Sequence, residues 1–136
     1  MLAFIDIDSQ QKRVYGHARQ GAAFGHTKIG GKGLLVRGLN VLAATIGTPL
    51  AAPVIAATRL RGGNAHSARG AASMVTEAAG TARADGCAGT LVVRMDSAFY
   101  GSAAVWAARQ AGARFSVTGR IDPKIRAAIA AIGEDA

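Results

Sequence analysis

Cysteine and acidic residues are both scarce in this chain. Its one cysteine, Cys87, excludes an internal disulfide and a cysteine-rich zinc module. Eight Asp and Glu residues accompany sixteen Lys and Arg residues, so the net charge is +8. An excess of this size favours a polyanionic partner, most simply nucleic acid, because basic side chains replace the counterions of phosphates. The alternative is a basic surface that has no dedicated partner.

Aromatic residues and long apolar runs are scarce as well. Aromatics make up 5% of the chain, whereas 50% of the residues are hydrophobic, and alanine and glycine dominate. Such small side chains suit close packing of helices on a sheet. The longest apolar run, residues 41–58, is interrupted by two prolines and a glycine, which argues against a membrane span. No basic segment followed by an apolar one opens the chain, so we expect a cytoplasmic protein with no secretory signal and no membrane partner.

The spacing of apolar residues predicts a single α/β domain over residues 1–136. The first half is typical of β structure, with a strand at 1–8, a hairpin partner at 12–18, a basic glycine-rich loop at 19–33, and strands at 34–47 and 52–63. The second half alternates, with helices at 67–86, 102–112 and 122–133 and strands at 90–96 and 113–121. Ser67 is placed to cap the first helix, Gly86 to end it, and Asp122 to cap the last.

This element order predicts the topology of the sheet. Three antiparallel strands followed by helix–strand–helix–strand–helix favour one mixed sheet flanked by helices. In a sheet of order 3-2-1-4-5, the fourth strand lies beside the first. The strand at 90–96 is therefore expected to be a neighbour of the strand at 1–8.

Three of the acids lie on these two strands. Asp6 and Asp8 share one face of the first strand, since residues two apart point the same way, and Asp96 ends the strand at 90–96. A carboxylate at a buried strand end is costly to ionise unless it is paired or holds a metal ion. Carboxylates suit Mg²⁺, which is often shared with substrate phosphate, and two ions about 4 Å apart promote in-line displacement. The alternative is that each aspartate caps a turn or the following helix.

Three segments together suggest a family. The stretches "FIDIDSQQKRVYGH", "LRGGNAHSARGA" and "LVVRMDSAFYG" occur in this order along essentially the whole chain. With them the chain resembles the DDE transposases of bacterial insertion sequences, specifically the group numbered thirteen-eighty. The resemblance implies an RNase H-like core, whose three antiparallel strands precede alternating helices and strands.

The resemblance also implies roles for the aspartates. Asp8, at the end of the first strand, and Asp96, in the "DSAF" motif, would be catalytic and would bind Mg²⁺ (or Mn²⁺) for DNA strand cleavage and strand transfer. Asp6 would be a supporting acid at the metal. The implied partners are the terminal repeats of the element and target DNA, and the full-length protein would be a possible homodimer.

The chain departs from the family pattern at two places. Gln10 stands where the family has threonine, which changes the local hydrogen bonding. The family's third carboxylate, a glutamate on a later helix, has no match, because Glu77 precedes Asp96 and Glu134 follows it too closely. We therefore expect a piece of a catalytic core that is inactive alone. The alternative is a DNA-binding transposase remnant without catalytic activity.

Two basic segments are candidate DNA contacts. The glycine-rich "GHTKIGGKGLL" lacks the spacing of a phosphate-binding P-loop and is interpreted as a flexible basic loop near DNA, with an ordinary hairpin connection as the alternative. The segment "LRGGNAHSARG" joins a strand to a helix, and its arginines suit DNA phosphates, with a solvated loop as the alternative. The predicted DNA-binding residues are Lys28, Lys32, Arg59, Arg61, Asn64 and Arg69.

The opening "FIDIDSQ" also resembles the D-x-D-x-T motif of haloacid dehalogenase-type phosphatases. In that interpretation Asp6 is the nucleophile and Asp8 the general acid. Gln10 in place of the threonine, and the absence of the family's downstream lysine motif, argue against this alternative.

Overall fold

The computed structural model describes residues 1–133, and within them six strands form one mixed sheet. The strands are β1 (Leu2–Arg13), β2 (Ala23–Ile29), β3 (Lys32–Thr48), β4 (Ala51–Gly62), β5 (Thr90–Met95) and β6 (Arg114–Val117). The helices are α1 (Ala71–Ala84), α2 (Ser102–Gln110) and α3 (Pro123–Ala130), and a short 3₁₀ turn covers Ser97–Phe99. The predicted α/β class is confirmed. No helix in this part of the chain has the length and apolar character needed to cross a membrane.

Strand β1 lies in the interior of the sheet. It pairs antiparallel with β3 on one side and parallel with β5 on the other. β4 pairs with the second half of β3 and β6 pairs with β5, so the strands follow the order β4-β3-β1-β5-β6. β2 pairs with the first half of β3 and forms a hairpin that extends beyond the end of β1. We call this hairpin, residues 23–38, the arm.

The hydrophobic core lies on one face of the sheet, under α1 and α2. Every second residue of β5 and of the first half of β1 is buried there, and the set consists of Ala3, Ile5, Ile7, Leu91, Val93 and Met95. Four of the six buried residues of α1, and both buried residues of α2, are alanines. Because alanine adds little thickness, the two helices pack closely on the strands. The residues that alternate with this buried set, including Asp6 and Arg94, therefore face the opposite side of the sheet.

The first half of the chain has more regular structure than its sequence predicted. The hairpin partner predicted at 12–18 is wrong, because β1 continues to Arg13 and Gly16, with a φ of 95°, interrupts the extended conformation. The loop predicted at 19–33 is also wrong over most of its length, because the arm occupies it. Gly30 and Gly31 have φ values of 57° and 80° and form its two-residue turn, as a type I′ hairpin requires.

Helix boundaries follow the sequence signals except at the start of α1. Asp122 caps α3, and its Oδ1 accepts a backbone hydrogen bond of 2.9 Å. Gly86, with a φ of 87°, follows the end of α1 as predicted. The cap predicted at Ser67 is wrong, because α1 begins after Gly70. The segment before Gly70 is instead held in turns by Arg61, which donates hydrogen bonds to three of its carbonyl oxygens.

The one-sided core predicts very different effects for the same substitution at two isoleucines. Ile5 is fully buried in β1, whereas Ile55 in β4 is 72% exposed. We expect Ile5→Ala to lower the free energy of unfolding by about 2–5 kcal/mol, because it leaves a cavity under α1. The matched Ile55→Ala variant should change it by less than about 0.5 kcal/mol. Urea denaturation followed by circular dichroism measures both, and equal losses would contradict this description of the core.

Candidate functional site

The parallel pairing of β1 with β5 places Asp8 beside Asp96. The ladder between the strands ends at the pair Ile7 and Met95, and the two aspartates are the next residues along. The backbone of Asp96 is still extended, with φ −80° and ψ 179°, so it continues the line of β5. Neighbouring strands are about 4.8 Å apart. Two exposed carboxylates that are 88 residues apart in the sequence are thereby brought side by side.

Each aspartate of the pair engages one carboxylate oxygen locally. Asp8 lies within β1 rather than at its end, where the sequence placed it, and its Oδ1 accepts a hydrogen bond of 2.7 Å from the Ser9 amide. Oδ1 of Asp96 accepts one of 2.9 Å from the Ala98 amide and caps the 3₁₀ turn. Capping, the alternative considered from the sequence, is therefore confirmed for Asp96. In residues 1–133 no protein group donates to either Oδ2, so each aspartate keeps one oxygen for a ligand.

Asp6 is engaged by an arginine that nothing in the sequence pattern pointed to. It lies directly opposite Arg94 in the β1–β5 ladder. This pair is two residues before Asp8 and Asp96 along the strands, and it is on the same face of the sheet. The guanidinium binds both carboxylate oxygens, at 2.6 and 2.7 Å, and stacks 4.3 Å above the ring of Phe4. The hydrogen bonds that Arg94 donates to Asp6 raise the pKa of Arg94. Asp6 can act as the supporting metal ligand predicted for it only if this pair opens.

Asp8 and Asp96 do not by themselves form a complete metal cage. No group of three or more metal-ligating side chains occurs within the described residues 1–133. Glu77 lies on α1, where it pairs with Arg59 at 2.6 Å, and Glu134 lies outside the described residues. Mg²⁺ commonly binds through one or two carboxylates, several waters and substrate phosphates. Asp8 and Asp96 fit an ion that is shared with a substrate.

Two of the predicted DNA-binding arginines are engaged within the protein. Arg59 donates to the carbonyl oxygen of Gly70, to Ser73 and to Glu77, and so ties β4 to α1. Arg61 donates to the buried Asn40 and to carbonyl oxygens of the loop between β4 and α1. Burial lowers the pKa of Arg61, and the charge of Arg69 lowers it further. Both arginines therefore have a role in shaping the loop.

The other four predicted DNA-binding residues are exposed. Lys28 and Lys32 are on the arm, one on each strand, while Asn64 and Arg69 are in the loop between β4 and α1. The backbone of Gly63, in the same loop, contacts the backbone of the arm at Gly38. The fold thus brings the two basic segments of the sequence to one end of the sheet.

Alanine substitutions of Arg61 and Arg69 test whether Arg61 stabilises the folded protein and Arg69 does not. Arg61→Ala leaves the buried Asn40 and several carbonyl oxygens without their donor, so we expect it to lower the free energy of unfolding by about 1–3 kcal/mol. Arg69→Ala removes an exposed side chain and should cost less than about 0.5 kcal/mol. Chemical denaturation measures both variants. Equal stability of the two would show that the guanidinium of Arg61 does not hold the loop.

Comparisons of the chain with protein-family models, with curated proteins and with solved structures returned no match. The mixed α/β sheet and the carboxylate pair are therefore described from this chain's own residues. The resemblance to the transposases stays a prediction, and it depends on the three motifs that contain Asp8, His66 and Asp96.

Proposed function

We propose that this chain is the N-terminal part of the catalytic domain of a DDE transposase and that it acts on DNA at the ends of an insertion sequence. The proposal is based on one observation: the parallel pairing of β1 with β5 places Asp8 beside Asp96. Two neighbouring carboxylates with free oxygens, beside a basic surface, suit metal-dependent cleavage of a phosphodiester.

The strand arrangement supports an RNase H-like core within this proposal. β1, β3 and β4 are antiparallel neighbours, and they precede α1, β5, α2 and β6, with β5 parallel to β1. This is the order of elements that the family resemblance implies, with the arm as an addition between the first two strands. In open sheets of this kind, ligands bind where neighbouring strands diverge at their carboxyl ends. Asp8 and Asp96 lie where β5 leaves β1.

The charges on the face opposite α1 and α2 suit a divalent cation. Asp8 and Asp96 would hold Mg²⁺ or Mn²⁺ through their free oxygens, and the bound ion would lower the pKa of a nucleophilic water or 3′-hydroxyl. Arg94 lies on the same face, two residues before Asp96, and its charge is paired with Asp6. Asp6 fixes that guanidinium through two hydrogen bonds. Because this pair has no net charge, the attraction for a cation comes from Asp8 and Asp96.

A long acid-free segment supports DNA as the partner. Residues 9–76 contain nine Lys and Arg residues and three His residues, and no Asp or Glu. The segment runs from the end of β1 through β2, β3 and β4 to the start of α1. Phosphate groups would gain from this surface by counterion release. The basic end of the sheet adjoins Asp8, so a bound phosphodiester would lie near the carboxylates.

A DNA-binding remnant without catalytic activity is the rival proposal. It has the same fold and the same partner, and it is favoured by the lack of a third carboxylate next to Asp8 and Asp96 in residues 1–133. The two proposals differ in whether a divalent ion links the aspartates to DNA. In a remnant, the ion acts on DNA binding through ionic strength alone.

We predict that Mg²⁺ strengthens DNA binding by the wild-type chain relative to the Asp96→Asn variant. Without metal, the variant should bind DNA as tightly as the wild type or slightly tighter, because one repulsive charge is gone. With Mg²⁺ at constant ionic strength, the wild type should gain about tenfold in affinity over the variant, the value of one charge-assisted contact. Fluorescence anisotropy with a labelled duplex measures all four affinities.

Asp122→Asn is the matched control for this experiment. Asp122 and Asp96 both cap a helix through Oδ1, and asparagine keeps that hydrogen bond while it removes the charge. The control should behave as the wild type does. If Mg²⁺ affects wild type, Asp96→Asn and Asp122→Asn alike, the remnant is the better description of the chain. Metal-dependent nicking of plasmid DNA that is lost in Asp96→Asn would exclude the remnant.

A further inference from the structure

A groove runs between the arm and the body of the protein. It has a volume of about 780 Å³ and is bounded by β1, the arm and the loop between β4 and α1. The residues that line it include Gln11, Phe24, Lys28, Asn64, His66 and Ser67. Sites for small ligands have volumes of roughly 300–1,000 Å³. The groove therefore has room for a few nucleotides of one strand.

The walls of the groove are formed before any ligand binds. The backbone of Gly63 lies so close to Gly38 and Ala23 that a Cβ at this position would overlap their carbonyl oxygens. The Gly63 amide donates to the carbonyl oxygen of Gly21 at 3.1 Å, and Nε2 of Gln11 donates to the arm at 3.3 Å. Because these contacts fix the arm against the loop, a ligand does not have to order them.

Aromatic rings are exposed beside the positive charges of this region. Phe24 is 61% exposed and lines the groove together with Lys28. Phe24 also lines a second groove of about 460 Å³ on the arm, where Tyr15 is 71% exposed and lies 4.9 Å from the guanidinium of Arg13. Exposed aromatic rings in a basic groove act as stacking platforms for bases. Bases in a duplex already stack on each other, so only unpaired bases can use such platforms.

The groove lies on the face of the sheet that α1 and α2 cover. Its wall on β1 begins at Ser9. His66 and Ser67 line it and also line a further cavity of about 490 Å³, whose other residues include Ser97. The hydroxyl of Ser9 donates to that of Ser67 at 3.0 Å. Because side chains alternate along β1, Asp8 lies on the opposite face, so the groove is a surface separate from the candidate site.

We propose that the arm groove binds an unpaired DNA strand. Phe24 stacks on a base, and Lys28 and His66 contact the phosphates on either side of it. The binding of a single strand does not require the function proposed above. The unpaired strand is thus a specific form of the DNA partner, and the preference belongs to the arm.

The test compares single-stranded and duplex oligonucleotides of the same sequence by fluorescence anisotropy, without divalent metal. The wild-type chain should bind the single strand more tightly than the duplex. Phe24→Ala should weaken single-strand binding about 5- to 100-fold, the value of one stacked base, and leave duplex binding unchanged. Phe24→Trp keeps the platform and should retain the affinity. Phe115→Ala, at a 45% exposed phenylalanine of β6 outside the groove, is the matched control and should have no effect.

A second pair of variants tests the phosphate contact. Lys28→Ala should reduce the slope of log affinity against log salt by about 0.7 for the single strand. Lys124→Ala, on the exposed α3, should leave that slope unchanged. Circular dichroism and thermal unfolding establish that all variants are folded.

Two results would overturn the inference. One is a Phe24→Ala variant that binds the single strand as the wild type does, and the other is a wild-type chain that prefers the duplex. If Mg²⁺ still strengthens DNA binding through Asp96 in either case, the proposed function stands and only the arm groove is wrong. If single-strand binding depends on Phe24 but Mg²⁺ has no effect, the groove stands and the proposed catalytic function is wrong.

Discussion

The parallel pairing of β1 with β5 is the constraint on which the rest of the site depends. These strands are separated by three strands and a helix along the chain, and their register brings Ile7 to Met95 and hence Asp8 to Asp96. A shift of one residue would turn every side chain of one strand to the other face. Ile5 and Val93 are fully buried under the helices, so such a shift would remove one of these side chains from the core. The hydrophobic face thus fixes the position of the charged one.

The division of the sheet into two faces explains why the site can be exposed and still be well positioned. The alanine-rich surfaces of α1 and α2 cover one face, and the charges of β1 and β5 occupy the other. There Arg94 binds Asp6 with two hydrogen bonds and lies over Phe4. An exposed ion pair contributes little to stability. The pair has no net charge, so the negative charge of the candidate site comes from Asp8 and Asp96.

Much of the fold was predictable because it depends on local patterns. Short β-prone apolar runs identified β1 and β5, Asp122 and Pro123 marked the start of α3, and the order of elements predicted that β1 and β5 are neighbours. The first strand of the arm, β2, was missed because none of its residues is fully buried, although the Gly30–Gly31 turn signalled a hairpin.

Contacts that depend on the shape of a loop or on the exact register of two strands could not be predicted. The role of Arg61 depends on carbonyl oxygens in a loop whose shape the sequence does not reveal, and it displaced the expected cap at Ser67. The pairing of Arg94 with Asp6 follows from the exact register of two strands, which the element order alone does not specify. The proximity of Asp8 and Asp96 was expected because it requires only that their strands be neighbours.

We propose that Asp8 and Asp96 hold one divalent ion between them, and paramagnetic broadening by Mn²⁺ is the measurement to make first. In a ¹⁵N-labelled sample, substoichiometric Mn²⁺ should broaden the amide signals of Ser9 and Ser97 together, because both lie next to the shared ion. Either Asp8→Asn or Asp96→Asn should abolish the broadening at both positions. Broadening at only one of the two, or its persistence at one position after the other aspartate is replaced, would show that the aspartates do not share an ion.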